Sequence, residues 1–397
     1  MRIRTVAAAC SAAATLALLV GCTATATPVS AAPPHPWAPA TATESIDPDA
    51  AYVAARLADM STLERAASIV MTRVPSPDPA TARAAVAASG VGGVILMGPD
   101  TQYSVDASAA LTAALVVDPA LPPLAAVDQE GGIVARLPDA GPSARALQSQ
   151  PPAASRVAFA DRAALVAAAG IDINFGIVAD VTGDRSSFLA SRVFGADAAS
   201  VSERVAAAVA GERGVVLSTL KHFPGHGGAP GDSHAVIPAT SMGVDEWRAT
   251  QAPPFAAGIA AGAELVMTGH LRYTAIDAAP ASLSPAWYGI LRDEFGFEGV
   301  AVTDDLTMLQ ASGEAAYADP VANGVTALAA GADLLLYVGA VDTAALAARI
   351  ADAVDSGRIP DARLAEAAQR VLELRRSVAD SDAPYVRCVG ACAGAAS

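Results

Sequence analysis

Short apolar segments rich in β-branched residues recur eight times along this chain, and alanine-rich stretches of helical character separate them. Most of these segments are apolar along nearly their whole length, as expected for strands of a parallel sheet that is covered on both faces. Eight repeats of strand and helix predict an α/β fold of the TIM-like (β/α)8 barrel type. The predicted strands span residues 69–74, 91–97, 124–130, 172–181, 214–222, 264–270, 299–304 and 333–337.

An open, doubly wound sheet is the alternative arrangement of the same elements. Such sheets often carry a glycine-rich dinucleotide-binding turn after the first strand, and this chain has no such turn there. Helices are predicted between the strands, for example at 161–169, 200–213 and 361–376. The 397 residues suffice for one large domain, and we predict that the barrel occupies residues 46–378.

The net charge excludes some classes of partner. The chain carries a formal charge of −15 at pH 7, which disfavours nucleic acids and anionic lipid surfaces as general partners. We expect a monomer that contacts a membrane only through its N-terminus.

The N-terminus has the pattern of a bacterial export signal. Two arginines precede an apolar stretch at residues 7–20, which is shorter than the roughly 20 residues that a membrane-spanning helix needs. The stretch ends in Leu19-Val20-Gly21-Cys22, which resembles a lipobox, where the cysteine thiol is lipidated. We expect residues 1–22 to be a signal peptide, Cys22 to carry lipid, and the protein to sit on the outer side of the bacterial cell membrane. An ordinary secretory signal is the alternative.

Two further segments lie outside the predicted barrel. Residues 23–45 are rich in alanine, threonine and proline without apolar periodicity, which predicts a disordered tether. Residues 379–397 form a tail that contains Cys388 and Cys392. These cysteines could close a small disulfide loop in an oxidising compartment, whereas two thiols alone make a poor metal site.

Several predicted strands end in a polar group that could take part in a reaction. In a parallel barrel the carboxyl ends of the strands meet at one mouth, where the active site lies. We therefore expect these side chains, which are distant in sequence, to share one pocket. The strand-end residues are Asp128, Glu130, Asp180, Lys221, His222, His270, Asp304 and Asp305.

One segment concentrates the rarest polar residues of the chain. Lys221 is the only lysine, and it opens Lys221-His222-Phe223-Pro224-Gly225-His226-Gly227, which is followed by Asp232-Ser233-His234. Three of the five histidines fall in this segment. An ammonium group, imidazoles and a carboxylate among glycines are typical of a polar reaction site rather than of a packed core.

These motifs carry a resemblance to a known family. Together with Asp128-Gln129-Glu130-Gly131-Gly132 and Val302-Thr303-Asp304-Asp305-Leu306-Thr307-Met308, the Lys221 segment resembles glycoside hydrolase family 3. The match is to its β-N-acetylglucosaminidase (NagZ-like) branch. The motifs occur in the family's order between about residues 60 and 337. The resemblance implies a retaining mechanism with a covalent glycosyl-enzyme intermediate and no metal or organic cofactor.

The resemblance assigns the nucleophile to Asp304. Its neighbour Asp305 is the rival, but adjacent residues of a strand point to opposite faces, so we expect only one to face the pocket. For Asp305 we expect a structural role.

The acid/base group implied by the resemblance is His234, supported by Asp232. Most retaining glycosidases use two carboxylates about 5–5.5 Å apart, and this branch is an exception. In an extended loop, residues two apart project to the same side, so the Asp232 carboxylate can hold and polarise the imidazole of His234. Histidine suits both protonation of the leaving oxygen and deprotonation of water. A glycine-rich loop that closes over the substrate is expected here.

The sugar-binding roles also come from the resemblance. Charged donors and acceptors make strong, directional bonds to hydroxyls. For Glu130, Asp180 and His270, binding and structural roles are about equally expected, and His226 is expected to brace the loop. The residues matched to sugar-binding positions are Asp128, Arg136, Arg192, Lys221 and His222.

The sequence departs from the family pattern in three places. Ile133 stands where many relatives have an arginine, and residues 97–100 differ from the usual aromatic and asparagine pattern, which leaves the outer subsites open. The chain ends soon after the predicted barrel, so we expect a single catalytic domain without the second α/β domain of many members.

The sequence therefore predicts an exported exo-β-N-acetylglucosaminidase that acts on terminal GlcNAc of cell-wall muropeptides or chitin-type oligosaccharides. Three alternatives stay open: a β-glucosidase or xylosidase of the same family, a β-N-acetylglucosaminide phosphorylase, and an inactive sugar-binding lipoprotein. The Asp232–His234 pair disfavours the first and the third, whereas a neutral imidazole would tolerate an incoming phosphate.

Overall fold

The computed structural model describes residues 47–97 and 104–379. The segments predicted as signal peptide, lipidated Cys22, tether and cysteine-containing tail lie outside these residues. Within them the backbone forms ten strands: β1 Val70–Arg73, β2 Gly93–Leu96, β3 Leu124–Val127, β4 Ile173–Val178, β5 Leu217–Phe223, β6 Ala239–Thr240, β7 Leu265–Thr268, β8 Arg272–Tyr273, β9 Val300–Thr303 and β10 Leu335–Tyr337.

Eight of the described strands form one parallel sheet that closes on itself. Their order is β10-β1-β2-β3-β4-β5-β7-β9, and every pair in it is parallel. The last gap is closed between β9 and β10 by a parallel bridge from Val302 to Leu334 and by the Thr303 N–H, which donates to the Leu334 carbonyl at 3.0 Å. The (β/α)8 barrel prediction is confirmed, and all eight predicted strands are present. The two-residue strands β6 and β8 pair separately above the barrel mouth.

Helices connect the barrel strands and cover their outer face. Several begin with proline in the first turn, where the missing N–H has no intrahelical partner anyway. The described helices are α1 Pro48–Asp59, α2 Thr62–Ser68, α3 Pro79–Ser89, α4 Val105–Leu115, α5 Ala144–Leu147, α6 Pro152–Ala168, α7 Ala198–Glu212, α8 Val244–Thr250, α9 Ala252–Ala260, α10 Pro285–Gly289, α11 Leu306–Ala311, α12 Pro320–Ala330, α13 Thr343–Asp355 and α14 Asp361–Ser377, with a π-helix at Ile290–Glu294.

The predicted helices at 161–169, 200–213 and 361–376 correspond to α6, α7 and α14. The helix α6 begins nine residues earlier than predicted, because Pro152 starts it. No helix within residues 47–97 and 104–379 is both long enough and apolar enough to cross a membrane.

A cluster of buried aromatic rings lies behind the end of β5. Phe223 packs edge-on against Trp247, Phe255 and Trp287, with ring centroids 6.2, 5.4 and 5.8 Å away. Each fully buried aromatic side chain contributes about 1.5–3 kcal/mol of hydrophobic free energy. The Trp247 indole N–H also donates to the Pro224 carbonyl at 2.7 Å. The start of the glycine-rich loop after β5 is therefore held in place by this aromatic cluster.

Candidate active site

A cavity of about 370 Å³ opens at the carboxyl ends of the barrel strands. The barrel topology brings residues more than 170 positions apart in sequence to its walls, as the strand-end pattern predicts. Asp232 does not line the cavity, but it contacts a residue that does. The predicted site residues in the wall are Asp128, Glu130, Arg136, Arg192, Lys221, His222, His234, Asp304 and Asp305.

Lys221 is buried between two carboxylates that follow β3. Its Nζ lies 2.7 Å from Asp128 Oδ1 and 2.8 Å from Glu130 Oε1. Burial by itself lowers the pKa of Lys221, but the two carboxylates outweigh burial and raise it. The ammonium group is therefore charged and oriented at the cavity wall.

Glu130 links Lys221 to Arg192. The Arg192 Nε and Nη2 donate to the two carboxylate oxygens of Glu130 at 2.9 and 2.7 Å. Burial would raise the pKa of Glu130, but Lys221 and Arg192 reverse this and lower it to about 2. Of the two roles left open for Glu130, the structure supports the one of holding these cations in place.

Arg136 reaches the cavity from the turn after Glu130. Its Nη2 approaches Asp128 Oδ2 only to 4.0 Å, which leaves its N–H groups available to a ligand. Gln129 holds the turn, because its Oε1 accepts the N–H of Arg136 at 2.9 Å. Gly131 has a φ of +85°, and a Cβ there would lie 2.0 Å from the Arg162 guanidinium, so the turn requires glycine.

His222 is oriented by a buried carboxylate. Its Nδ1 lies 2.8 Å from Asp180 Oδ2, so Nδ1–H donates and Nε2 is left as the atom that can meet a ligand. The same carboxylate accepts the backbone N–H of His226 at 2.6 Å. Burial raises the pKa of Asp180, but the two imidazoles and these donors outweigh it and lower the pKa. Asp180 does not line the cavity, which favours the structural role.

Asp304 follows the last residue of β9 and faces the cavity. Its backbone N–H donates to the Thr268 carbonyl at 2.9 Å, which continues the barrel ladder, and its Oδ1 accepts the Asp305 N–H at 2.8 Å. Burial raises the pKa of Asp304, but His222, His270 and the Asp305 N–H outweigh it, so that the pKa is lowered. A carboxylate that stays ionised in this position is suited to act as a nucleophile.

Asp305 caps a helix. Its Oδ1 accepts the N–H of Thr307 at 3.0 Å, at the start of α11, and the N–H of Val338 at 2.9 Å. The structural role expected for Asp305 agrees with this geometry. The expectation that only one of the two aspartates faces the pocket was wrong, because β9 ends at Thr303, so Asp305 does not belong to a strand, and both Asp304 and Asp305 line the cavity.

His270 holds the backbone of Asp305 in place. Its Nε2 donates to the Asp305 carbonyl at 2.8 Å, and its Nδ1 lies 2.7 Å from Ser282 Oγ. Burial is the main cause that lowers the pKa of His270, which favours the neutral form of the imidazole. His270 does not line the cavity, and the structural role is again favoured.

Asp232 and His234 form the expected pair. His234 Nδ1 lies 2.7 Å from Asp232 Oδ1, and the same oxygen accepts the His234 backbone N–H at 3.0 Å. The expectation of an extended loop was wrong, because the Ala235 N–H donates to the Asp232 carbonyl at 3.0 Å and closes a turn. Asp232 therefore holds the imidazole by capping this turn. The His234 side chain is 63% exposed.

Phe188, which sequence reasoning did not select, joins several site residues. Its ring packs edge-to-face against His226 and His234, with centroids 4.9 and 5.9 Å away. The Arg192 guanidinium lies 5.6 Å from the same ring. An aromatic residue four positions before Arg192 is the only sequence signal of this role.

The loop after β5 is held close to the barrel. His226 is buried against Phe188, and burial is the main cause that lowers its pKa to about 4. A Cβ at Gly227 would lie 2.1 Å from the Val181 carbonyl oxygen, so only glycine allows this approach. The Lys221–His222 and Phe223–Pro224 peptide bonds are cis. The bracing role expected of His226 agrees with its position.

Two further observations bear on the choice of site. A cavity of about 750 Å³ lies at the opposite end of the barrel, beside Asp172, Glu264 and Gly299, and none of the predicted site residues lines it. In the parts of the chain that the structure describes, no group of three or more His, Cys, Asp and Glu side chains is placed to hold a metal ion.

Comparison with known proteins places this barrel in a family. The sequence profile described as the glycosyl hydrolase family 3 N-terminal domain matches residues 61–374. A β-hexosaminidase of Methylococcus capsulatus is 36% identical over 222 residues, which cover 54% of this chain and 66% of that protein. The β-hexosaminidase LpqI of Mycobacterium tuberculosis is 33% identical over 380 residues, which cover 91% of this chain and 95% of that protein.

A solved structure agrees with these matches. The glycoside hydrolase family 3 β-N-acetylglucosaminidase from a Paenibacillus species superposes with a TM-score of 0.74 at 30% identity. The match covers 80% of this chain and 63% of that chain, so this chain spans slightly less than two thirds of the Methylococcus and Paenibacillus proteins. The fold is that of a (β/α)8 barrel. The chain belongs to glycosyl hydrolase family 3, as the motif resemblance predicted.

Proposed function

We propose that this protein is a retaining exo-β-N-acetylglucosaminidase. The observation that carries the proposal is that an ionised carboxylate, Asp304, and a carboxylate-supported imidazole, His234, line the same cavity. A binding protein needs contacts to sugar hydroxyls but has no use for a nucleophile beside an acid/base group. The names of the relatives, β-hexosaminidase and β-N-acetylglucosaminidase, support the acetamido sugar.

The terminal sugar is held by the charged groups of the cavity wall. Asp128 accepts from sugar hydroxyls, while Lys221 and Arg136 donate to them; the same wall contains Arg192 and His222. Bonds of this kind between a charged group and a hydroxyl are strong and directional. Glu130 and Asp180 hold Lys221 and His222 in place before a sugar binds. Binding therefore costs little side-chain conformational entropy.

The reaction proceeds in two steps on these groups. In the first, an Asp304 oxygen forms a bond to the anomeric carbon while the bond to the leaving oxygen breaks and His234 Nε2–H protonates that oxygen. In the second, His234 takes a proton from water, and the water oxygen replaces Asp304 on the anomeric carbon. The Asp232 carboxylate stabilises the positive imidazolium whenever His234 holds both protons.

The test compares two aryl glycosides that differ at one position. The purified protein is given nitrophenyl β-N-acetylglucosaminide and nitrophenyl β-glucoside, and kcat/KM is measured for each. We expect a strong preference for the acetamido sugar. Preference for glucose would keep the barrel and Asp304 but overturn the proposed specificity.

We also propose that the protein is a monomer exported to the outer side of the cell membrane and anchored there by lipid on Cys22. The motif Leu19-Val20-Gly21-Cys22 after an apolar stretch supports this proposal. There the protein would act on cell-wall muropeptides or chitin-type oligosaccharides. Cys22→Ala should move the protein from the membrane fraction to the soluble fraction. Retention of the variant in membranes would contradict the anchor, and sedimentation of the released protein as a dimer would contradict the monomer.

A further inference from the structure

Asn174, on β4, lies where the parallel ladder between β3 and β4 stops. The last pair of these two strands joins Val127 to Asn174, and the pairing of β4 with β5 is irregular between Asn174 and Ile177. The chain of β3 continues past this pair to Gln129, which is fully buried. Buried backbone N–H and carbonyl groups require hydrogen-bond partners, so Gln129 needs a substitute for the ladder.

The Asn174 side chain supplies this substitute. Its Oδ1 accepts the Gln129 N–H at 3.1 Å, and its Nδ2 donates to the Gln129 carbonyl at 3.2 Å. A side-chain amide carries the same donor and acceptor as a peptide unit, so one side chain satisfies both backbone groups. Asn174 is itself fully buried, and Gly176 gives it room, because a Cβ at Gly176 would clash with the amide.

Glu212, the last residue of α7, holds the Asn174 amide from another side. Its Oε1 accepts an N–H of Asn174 Nδ2 at 2.6 Å, while the other N–H is directed to the Gln129 carbonyl. This acceptor keeps the nitrogen of the amide on the side where a donor is needed. Glu212 is fully buried, and burial is the largest cause that raises its pKa to about 8, so its carboxyl is mostly neutral at pH 7.

Gln129 connects this buried pair to the catalytic cavity. It directly follows Asp128, and its side-chain Oε1 accepts the backbone N–H of Arg136 at 2.9 Å. Asp128 and Arg136 line the cavity, whereas Asn174 and Glu212 do not. A displacement of Gln129 would therefore move an acceptor and a donor of the cavity wall together.

We propose that Asn174 and Glu212 are positioning residues for sugar binding: through the backbone of Gln129 they hold Asp128 and Arg136 in the geometry that receives the terminal sugar. The proposal rests on the proposed hydrolase function and extends its binding machinery to residues that no sugar touches. Groups that are already held in place lose less freedom when a ligand binds, and this strengthens binding. The two residues therefore act on affinity and not on the bond-breaking step.

The first experiment removes the amide. Asn174→Leu is close in volume and loses both bonds to Gln129, so KM for nitrophenyl β-N-acetylglucosaminide should rise about tenfold. The value of kcat should change less than about twofold, because the loss affects ground state and transition state alike. Asn174→Asp keeps the acceptor for the Gln129 N–H but loses the donor, so its KM should be intermediate. An unchanged KM in both variants would overturn the inference.

The second experiment tests Glu212 with two variants. Glu212→Gln keeps an oxygen for Asn174 and the neutral state of the side chain, so it should retain the KM of the wild type. Glu212→Leu removes the acceptor and should raise KM about threefold, the scale of one lost hydrogen bond. Equal KM values in the two variants would exclude Glu212 as a positioning residue.

The control is Asn323→Leu. Asn323 is a buried asparagine of α12 whose Nδ2 donates to the Tyr317 carbonyl at 2.9 Å, and it does not line the cavity. The variant makes the same chemical change as Asn174→Leu and should lower the melting temperature without raising KM. A rise in KM of the same size in both variants would assign the effect to general destabilisation and overturn the positioning role.

Crystal structures separate this inference from the proposed function, because they need no substrate. In Asn174→Asp we expect Asp128 and Arg136 to be displaced together, with the Asp128–Lys221 contact longer than the 2.7 Å of the wild type. An unmoved turn would overturn the positioning role alone. Failure of the wild type to hydrolyse any β-N-acetylglucosaminide would overturn the function, and the crystal structures would still decide whether Asn174 holds the turn.

Discussion

At the scale of single residues, His234 distinguishes this site from that of a glycosidase that uses two carboxylates. Replacing His234 with alanine should slow hydrolysis of a disaccharide by about 10²–10⁴-fold, the usual contribution of a general acid. Glycosylation from dinitrophenyl β-N-acetylglucosaminide should be slowed far less, because its leaving group departs without a proton. Pre-steady-state kinetics on both substrates measures this contrast. An equal loss on both would contradict the acid role.

Glu130 is the residue that keeps two cations of the cavity wall, Lys221 and Arg192, in place. Glu130→Gln leaves Lys221 and Arg192 buried without one of their carboxylates, so it should lower the free energy of unfolding by about 3 kcal/mol at pH 7. The folded-state pKa of Glu130 is lowered from 4.5 to about 2. Its contribution to stability is therefore complete above pH 4.5 and is lost as the pH falls towards 2.

Urea unfolding of the wild type and the variant at pH 7 and at pH 3 measures this dependence. The difference between them should be smaller at pH 3. Glu246→Gln, at an exposed position, is the control and should change stability little at either pH. A difference between wild type and Glu130→Gln that does not vary with pH would show that Glu130 acts through packing rather than charge.

Several residue-scale features were predictable, and others were not. Lys221 and His234 stand in a segment of unusual composition, and Asp304 follows an apolar strand and matches the family nucleophile, so the sequence alone indicates them. Phe188 stands in no motif, and its role depends on which loops pack together. The local geometry of Asp232 was predicted wrongly, because a side-chain cap can close a turn where the spacing of residues suggests an extended chain.

At the scale of elements, the loop after β5 depends on the loop after β4. The His234 turn is exposed and touches Phe188 by an edge-to-face contact at 5.9 Å. Phe188→Ala should let the turn move and misplace the imidazole. We expect about a tenfold fall in kcat for the disaccharide, since a small displacement of an acid group is costly, with little change for the dinitrophenyl substrate.

The conservative variant separates positioning from general damage. Phe188→Tyr keeps the ring and should restore most of the disaccharide activity. A merely structural role would instead lower the rates on both substrates together and shift the melting temperature. That result would contradict Phe188 as a positioning residue.

At the scale of the whole molecule, closure of the barrel depends on Asp333, just before β10. Its buried carboxylate accepts the Ala301 N–H of β9 at 2.9 Å. Arg363 and Arg370 of α14 reach it at 2.5 and 3.2 Å, and Arg292 pairs with it as well. One side chain thus joins the last strand pair to the last helix.

Asp333→Ala leaves three arginines without their shared carboxylate. It should lower the free energy of unfolding by about 3–5 kcal/mol, the usual cost of breaking a buried ion pair. Because Asp333 lies at the amino end of the barrel strands, kcat/KM below the melting temperature should not change. Asp355→Ala, at an exposed position of α13, is the matched control. Loss of activity in a folded Asp333→Ala protein would contradict this separation of closure from catalysis.

The barrel itself was predictable because each buried parallel strand leaves its own local apolar run, so all eight were located. The pairing of strands across the closure could not be predicted, because nothing in the sequence indicates that Val302 lies beside Leu334. The ladder of β6 and β8 was missed because two residues are too short for a period to appear. Long-range ion pairs such as Lys221 with Glu130 follow only from the closed barrel.

In the proposed mechanism, hydrolysis passes through a glycosyl ester on Asp304. The most direct measurement is to react the protein with a 5-fluoro-N-acetylglucosaminyl fluoride, digest it, and locate the added sugar by mass spectrometry. We expect one label, on the peptide that contains Asp304, and none in Asp304→Ala. A label on another carboxylate, or turnover without any covalent intermediate and with inversion at the anomeric carbon, would contradict it.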